Sequence, residues 1–372
     1  MNPTHRDRIV QVRQALPEQE LDALLVSVQE NRYYLSGFTG EDTQFDESAG
    51  VLILSEKQLV LATDSRYELQ AQKEAAGFDV VCYKKGLAKE LPAIVASLGI
   101  RRLGFESVRL SHKNHEDCVK ALEEAGSAVE LVPTENIVED LRKTKSDAEI
   151  QATVEALRLA EKAFAQVMEI IRPGMTEKEV AWEMEKSMRE LGAQGLSFPV
   201  IVASGPNSAL PHAIPSDRRL ATGEPILIDW GARLHEYCSD TTRSLVLGKP
   251  DSLFEKVFHT VVTARDMAID AIQAGASGKQ VDRIAREFIE RSGFKDKFGH
   301  GLGHGTGLAV HEAPRLSPIK DDQLEPGMIV TVEPGIYLPG WGGVRMENQV
   351  VVQEDGARVL NDPTPFDPRM GA

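Results

Sequence analysis

Five residues in the C-terminal part of the chain have types and spacing suited to metal chemistry: Asp229, Asp240, His304, Glu333 and Glu347. Each sits in a short motif: Ile-Asp-Trp-Gly at 228–231, Ser-Asp-Thr-Thr-Arg at 239–243, Gly-His-Gly-Thr-Gly at 303–307, Thr-Val-Glu-Pro-Gly at 331–335 and Arg-Met-Glu-Asn at 345–348. Four carboxylates and one imidazole make a hard, oxygen-rich donor set. Such a set suits Mn²⁺, Co²⁺, Zn²⁺ or Fe²⁺, with bridging carboxylates holding two ions about 3.5 Å apart. A pair of this kind generates hydroxide at neutral pH and polarises a carbonyl, so the pattern points to hydrolysis.

Each motif also has a plainer reading. Asp229 ends the apolar run Pro-Ile-Leu-Ile and is followed by Gly231; Tyr237 to Val246 then reads as a returning strand. A hairpin would bring Asp229 and Asp240 to one point, but a turn aspartate beside an Asp240–Arg243 pair fits the same residues. The segment 300–314, His-Gly-Leu-Gly-His-Gly-Thr-Gly-Leu-Ala-Val-His-Glu-Ala-Pro, holds His300, His304 and His311. Its glycines let backbone and ligands approach closely and disfavour a helix, which argues against a helical His-x-x-x-His zinc pair. A phosphate-cradling loop is disfavoured too, because no lysine follows and the carboxylates would repel phosphate. Glu333 and Glu347 lie inside strongly apolar strands, where a carboxylate is costly unless paired or metal-bound. Arg345 or Arg243 would be the pairing partner; otherwise these arginines orient the ligands. His212 follows a strand and loop at 200–211 and, taken alone, reads as a loop histidine.

The elements that must position these residues fall into two parts. The chain has 372 residues, enough for two domains, and 42% hydrophobic with 27% charged residues describes a soluble globular protein. Residues 1–135 alternate strand candidates (23–28, 50–55, 58–63, 79–83, 101–106 and 129–132) with helices near 5–16, 66–76, 87–98 and 112–125, an α/β pattern with a mixed sheet and no clustered ligands. Residues 136–372 form the second part. A linking helix near 135–143 leads to a long helix over 146–171, after which the chain repeats. Pro-Gly-Met-Thr-Glu-Lys-Glu-Val at 173–180 matches Ala-Gly-Ala-Ser-Gly-Lys-Gln-Val at 274–281, an offset of 274 − 173 = 101. Both copies carry a capping-box pattern, Thr176 with Glu179 and Ser277 with Gln280, opening a helix. Strands then follow at 198–204 and 225–231, and at 328–337 and 343–353. Two pseudo-twofold α/β halves would place a site between them.

The net charge of −15, with no basic run, argues against a nucleic-acid surface. Three cysteines, an odd number without a Cys-x-x-Cys pair, argue against a disulfide framework. No signal-like or membrane-spanning apolar run is present, so no membrane partner and a reducing cytoplasm are expected.

Taken together, these segments resemble the pita-bread metallopeptidases that cleave Xaa-Pro bonds, prolidase and aminopeptidase P. The order Asp, Asp, His, Glu, Glu and the spacings 11, 64, 29 and 14 carry the resemblance, most strongly over 198–246 and 298–350. It implies an α/β (α+β) architecture, with a creatinase-like N-terminal domain before a duplicated pita-bread catalytic domain. It further implies two divalent ions per subunit, Mn²⁺ or Co²⁺ with Zn²⁺ or Fe²⁺ as alternatives, and hydrolysis of the Xaa-Pro bond of dipeptides or short peptides by a metal-bridging hydroxide. Asp229 would chelate one ion, Asp240 and Glu347 would bridge, and His304 and Glu333 would complete the other. Glu333 would take the proton of the attacking water, and His311 would bind the scissile carbonyl. His212 would contact substrate near the proline, Arg345 would hold a bridging carboxylate or the substrate, and His300 would support the ligands. A proline-containing peptide and a second copy of the chain are the implied partners. Competing readings are a methionine-aminopeptidase-like enzyme, a creatinase-like enzyme without metals, and a non-catalytic binding protein on the same fold. For substrate length, the acidic stretch Gly37–Glu47 is expected to repel a dipeptide carboxylate and so to favour longer peptides.

Overall fold

The structure, a computed structural model, describes residues 2–42, 44, 47–364 and 366–370. It divides into two units, residues 1–141 and 142–372. The division follows Leu141, beyond the boundary expected after residue 135.

In the first unit, continuous apolar runs become the inner strands of one sheet. Ala23–Val26 and Val51–Ser55 are buried at every position, as strands covered on both faces should be. The six strands stand in the order Asp79–Cys82, Leu59–Thr63, Val51–Ser55, Ala23–Val26, Arg102–Glu106, Glu130–Thr134. Parallel pairs sit at both ends and antiparallel pairs in the middle, so the sheet is mixed. All six expected strands are present within a residue or two. The helix Gln29–Ser36 was not anticipated; its inward face includes Asn31 and Arg32, which masks the apolar periodicity.

Arg32 is fully buried and needs partners. Its guanidinium pairs with Asp42 at 2.7 Å and donates to the carbonyls of Ser27 and Gly40. Asp42 also accepts from Arg109 at 3.2 Å and from Ala49 N at 2.8 Å. Burial pushes the Asp42 carboxyl up, but Arg32, Ala49 N–H and Arg109 bring it below its usual value. Asp42 is therefore tied within its own unit, which removes one charge from the repulsion expected of the stretch 37–47. Thr43, Phe45 and Asp46 of that stretch lie outside the described residues.

The second unit contains the repeat. In the first half the sheet order is Arg369–Met370, Thr241–Leu247, Pro225–Trp230, Ile201–Ser204; in the second it is Glu312–Leu316, Gly303–Gly305, Ile329–Val332, Asn348–Gln353, Gly356–Val359. Helices Asp147–Met168 and Glu177–Glu190 pack on the first sheet, and Ser252–Asp270 and Gly278–Ile289 on the second. The equivalence extends to individual bonds. Gly174 N donates to Leu220 O and Leu220 N to Met175 O; Gly275 N donates to Leu324 O and Leu324 N to Ala276 O. The cap at Thr176 is a complete box with Glu179. The cap at Ser277 retains the bond from Gln280 N, and its hydroxyl turns to Asp321. Among the described residues no helix is long and apolar enough to cross a membrane.

Replacing Asp42 by Ala leaves a buried guanidinium without its anion. Because Ser27 and Gly40 still accept from it, the expected loss lies near the lower end for a broken buried pair, about 3 kcal/mol, read by denaturant unfolding. An unchanged unfolding midpoint would mean that the pair does not anchor this segment.

Candidate active site

The two halves deliver their carboxylates from matching places. Pro225–Trp230 and Thr241–Leu247 form the anticipated hairpin, with Asp229 opposite Thr242, so Asp240 at the head of the second strand lies beside Asp229. Glu333 follows Ile329–Val332, and Glu347 lies between Gly342–Arg345 and Asn348–Gln353. Asp229 stands four positions after Pro225, and Glu333 four after Ile329. His304 is the middle residue of Gly303–Gly305. Its flanking glycines are a packing requirement: a Cβ at Gly303 would lie 1.9 Å from Thr331 O, and one at Gly305 2.2 Å from Ala313 O.

All five residues line one cleft of about 690 Å³. Donor oxygens of Asp229, Asp240 and Glu347 lie within 4.8 Å of one another. His304 Nε2 approaches Glu333 Oε1 at 3.3 Å and Asp240 Oδ2 at 3.6 Å. Asp229 Oδ1 and Glu347 Oε1 are buried without a hydrogen-bond partner. His304 Nδ1 donates to Gly305 O at 3.1 Å, which leaves the Nε2 lone pair facing the carboxylates. Burial, joined by the charge of neighbouring His311, pulls His304 down to about 3, so it is neutral. Unshared lone pairs converging on a dry point are costly unless protons or a metal ion occupy them, and the hard donor set fits a divalent metal ion.

Electrostatics agree. Burial raises Asp240 well above its ordinary value, and the charges of Glu347, Asp229 and Glu333 add to this. Burial likewise raises Glu347, reinforced by Glu333 and Asp229. Glu333 is pushed up to about 7 by burial despite the opposing charge of Arg345. Asp229 is raised by burial against the pull of Arg345.

The surrounding residues fix the carboxylates. Arg345 Nη2 donates to Asp229 Oδ2 at 2.6 Å. This differs from expectation: Arg345 grips neither Asp240 nor Glu347 directly, because its strand runs beside the hairpin that carries Asp229. It reaches Glu347 through Thr242, whose hydroxyl accepts from Arg345 Nε at 3.0 Å and donates to Glu347 Oε2 at 2.7 Å. Arg243 takes no part in an Asp240 pair; it donates to the Glu347 carbonyl. Tyr337 accepts from Arg345 Nη1 at 2.9 Å and donates to His300 Nε2 at 2.8 Å. Gln349 Oε1 accepts from Asp240 N, and Thr331 Oγ1 donates to Glu333 while accepting from His304 N.

His212 and His311 line the same cleft, as does His300; the His311 ring packs edge-on against His304 at 4.3 Å. Thus every expected site residue is brought to one cavity. Sequence reasoning missed five others: Thr242, Thr331, Tyr337, Gln349 and Arg315. The first four carried a signal, a polar group in a buried strand that must find a partner. Arg315 carried none. It lines the cleft, and among the described residues its guanidinium has no hydrogen-bond or ion-pair partner.

Comparison with known proteins agrees with this geometry. Residues 151–354 match the model of metallopeptidase family M24, and residues 8–144 that of the creatinase/prolidase N-terminal domain. The chain is 34% identical to the Xaa-Pro dipeptidase of Pyrococcus furiosus, over 95% of this chain and 97% of that protein. Among solved structures, the Xaa-Pro dipeptidase from Bacillus anthracis superposes with a TM-score of 0.91 at 38% identity, covering 98% of this chain and 99% of that one. The X-Pro aminopeptidase from Thermotoga maritima superposes with a TM-score of 0.85 at 37% identity, covering 97% and 99%. The chain belongs to metallopeptidase family M24, with the pita-bread catalytic fold behind a creatinase-like N-terminal domain.

The raised carboxyls fix a sign for stability against pH. In metal-free protein the folded state favours protonated carboxyls, so their contribution is full below the ordinary carboxylate value of 4.5 and is lost as pH rises through about 7, the folded value of Glu333. Calorimetry with chelator is therefore expected to show the melting temperature falling across this window, while divalent-loaded protein does not fall in parallel. Parallel curves would contradict the charge assignment.

Proposed function

We propose that this protein hydrolyses the peptide bond between an N-terminal residue and proline, using two divalent ions, Mn²⁺ or Co²⁺, held by Asp229, Asp240, His304, Glu333 and Glu347. The observation that carries the reading is the single cleft in which these buried donors converge beside His212 and His311. The Xaa-Pro names of similar proteins supply the substrate class.

When bound, the ions supply an acidified water and a polarised carbonyl. The chain's own groups do the rest. Glu333, with a carboxyl pushed up to about 7, can accept a proton from the attacking water and return it. The return matters because the departing proline nitrogen must gain a proton to leave as an amine. His311, lowered by burial and so neutral, offers an N–H to the scissile carbonyl oxygen. His212 contacts the proline side of the substrate. Arg345 holds Asp229 still through these changes of charge.

Substrate length turns on Arg315. A cation facing the cleft without an internal partner suits a free terminal carboxylate, which a dipeptide places directly after the scissile bond. This supports Xaa-Pro dipeptides as preferred substrates, against the expectation drawn from the stretch 37–47.

Two assays check the proposal. With Mn²⁺ or Co²⁺, Ala-Pro is expected to be cleaved faster than Ala-Pro-Ala, and Glu333→Ala to lose about 10²–10⁴-fold in rate. No metal-dependent cleavage of either peptide would overturn it. Replacing Arg315 by Ala is expected to raise KM for Ala-Pro roughly tenfold or more, the worth of a charge-assisted bond, with little change for the amide Ala-Pro-NH₂. Equal effects on both would remove Arg315 from the length preference.

A further inference from the structure

Glu177 opens the helix Glu177–Glu190 and has no exposed surface. By sequence it reads as an ordinary acidic residue in the first turn, where a negative charge suits the helix end. Its surroundings are not ordinary. Glu177 Oε1 accepts from Ser204 N at 2.7 Å and Ser204 Oγ at 2.9 Å. Glu177 Oε2 accepts from Ser216 N at 3.0 Å and Ser216 Oγ at 2.6 Å. Asn207 Nδ2 donates to both oxygens, at 3.1 and 3.2 Å. One buried carboxylate thus closes the two ends of segment 204–216 onto each other. That segment carries Pro211, His212, Ala213, Ile214 and Pro215 along the wall of the cleft.

The inner side of the segment is tied elsewhere. Gly343 N donates to Ser208 Oγ, and Arg345 Nη1 donates to Pro211 O. Both ties lie before His212. After it, Ala213 N donates to Leu210 O within the loop, and Ser216 is the next residue tied outside the segment: its N–H and hydroxyl donate to the Glu177 side chain, and Lys178 N donates to its carbonyl. His212 itself is exposed on the loop, so its direction depends on the two ends being held.

We infer that Glu177 is a positioning residue for the reaction, setting His212 against the substrate by clamping both ends of segment 204–216. This rests on the functional reading above for the role of His212; the clamp itself does not. The chemistry of the clamp is specific. Ser204 N–H and Ser216 N–H are donors that cannot reverse, one facing each oxygen. Glutamine has the right shape, but its NH₂ must face one of those donors whichever way the amide turns. Glu177→Gln is therefore expected to behave like Glu177→Ala, which a merely space-filling role would not produce.

The test is a double-mutant cycle of Glu177→Gln with His212→Ala, read by Ala-Pro hydrolysis in the metal-loaded protein, beside hydrogen–deuterium exchange over 204–216. Glu177→Gln is expected to lower kcat/KM about 10- to 100-fold, the scale for a misplaced catalytic group. Metal content is expected to stay unchanged, because Glu177 is not among the metal-facing residues. In the His212→Ala background the same change is expected to cost nothing further, and exchange over 204–216 should quicken in either background. Independent losses in the two backgrounds, or full activity with unchanged exchange, would overturn the inference. If Glu177→Gln fails to fold, Ser216→Ala, which removes one of the donors, enters the same cycle with the same criteria. Should the unmodified protein cleave no Xaa-Pro peptide, the functional reading falls, and unchanged exchange in Glu177→Gln would still overturn the clamp.

Discussion

Four carboxyl groups share one buried point, and this crowding is the constraint on which the catalytic unit depends. Asp229, Asp240, Glu333 and Glu347 cannot all be ionised there without compensation, and Arg345 is the cation in direct contact, at 2.6 Å from Asp229. Burial raises all four, and repulsion from neighbouring carboxylates adds to this at Asp240, Glu333 and Glu347. Such a cluster is costly to folding and is retained where it binds cations. Fixed backbone and side-chain partners then determine that the donors converge on a shared centre. Thr242 and Gln349 each hold one carboxylate-bearing residue from a neighbouring strand, Thr331 holds Glu333 from its own, and Tyr337 holds Arg345 in turn.

Duplication is what makes this convergence structurally simple. Each half contributes one carboxylate near the end of a buried strand and one beside a neighbouring strand: Asp229 and Asp240 from the first, Glu333 and Glu347 from the second. A common scaffold presents the two pairs, and the second half adds His304 between glycines that permit close strand contact. Function then differs between the halves through what surrounds the pairs. The first half supplies the loop bearing His212, and the second supplies His311 and Arg315.

Much of this was legible in the sequence, for physical reasons that can be named. Asp229 ended an apolar run before a glycine and a returning strand, which allowed a hairpin beside the plainer reading of a turn aspartate. Glu333 and Glu347 were charged groups in strands too apolar to leave them unpaired. The repeat showed in two capping patterns, Thr176 with Glu179 and Ser277 with Gln280, whose equivalence extends to matched backbone bonds. What escaped notice depends on distance across the fold. Arg345 pairs with Asp229, 116 positions away, rather than with a carboxylate expected to bridge. Helix Gln29–Ser36 was hidden because buried Arg32 and Asn31 break its apolar stripe. Glu177 carried no signal of its own in the sequence, since its clamp on Ser204 and Ser216 exists only once the loop has folded back.

The crowded carboxyls are kept for divalent cations, which replace the protons held in their absence. Calorimetric titration of Mn²⁺ into chelator-treated protein near pH 7, repeated in buffers of different ionisation enthalpy, tests it most directly. Net proton release on binding is expected, because Glu333, pushed up to about 7, and Asp240 and Glu347, raised well above their ordinary values, must lose protons to ligate. Tight binding with no proton release, or no binding at all, would contradict it.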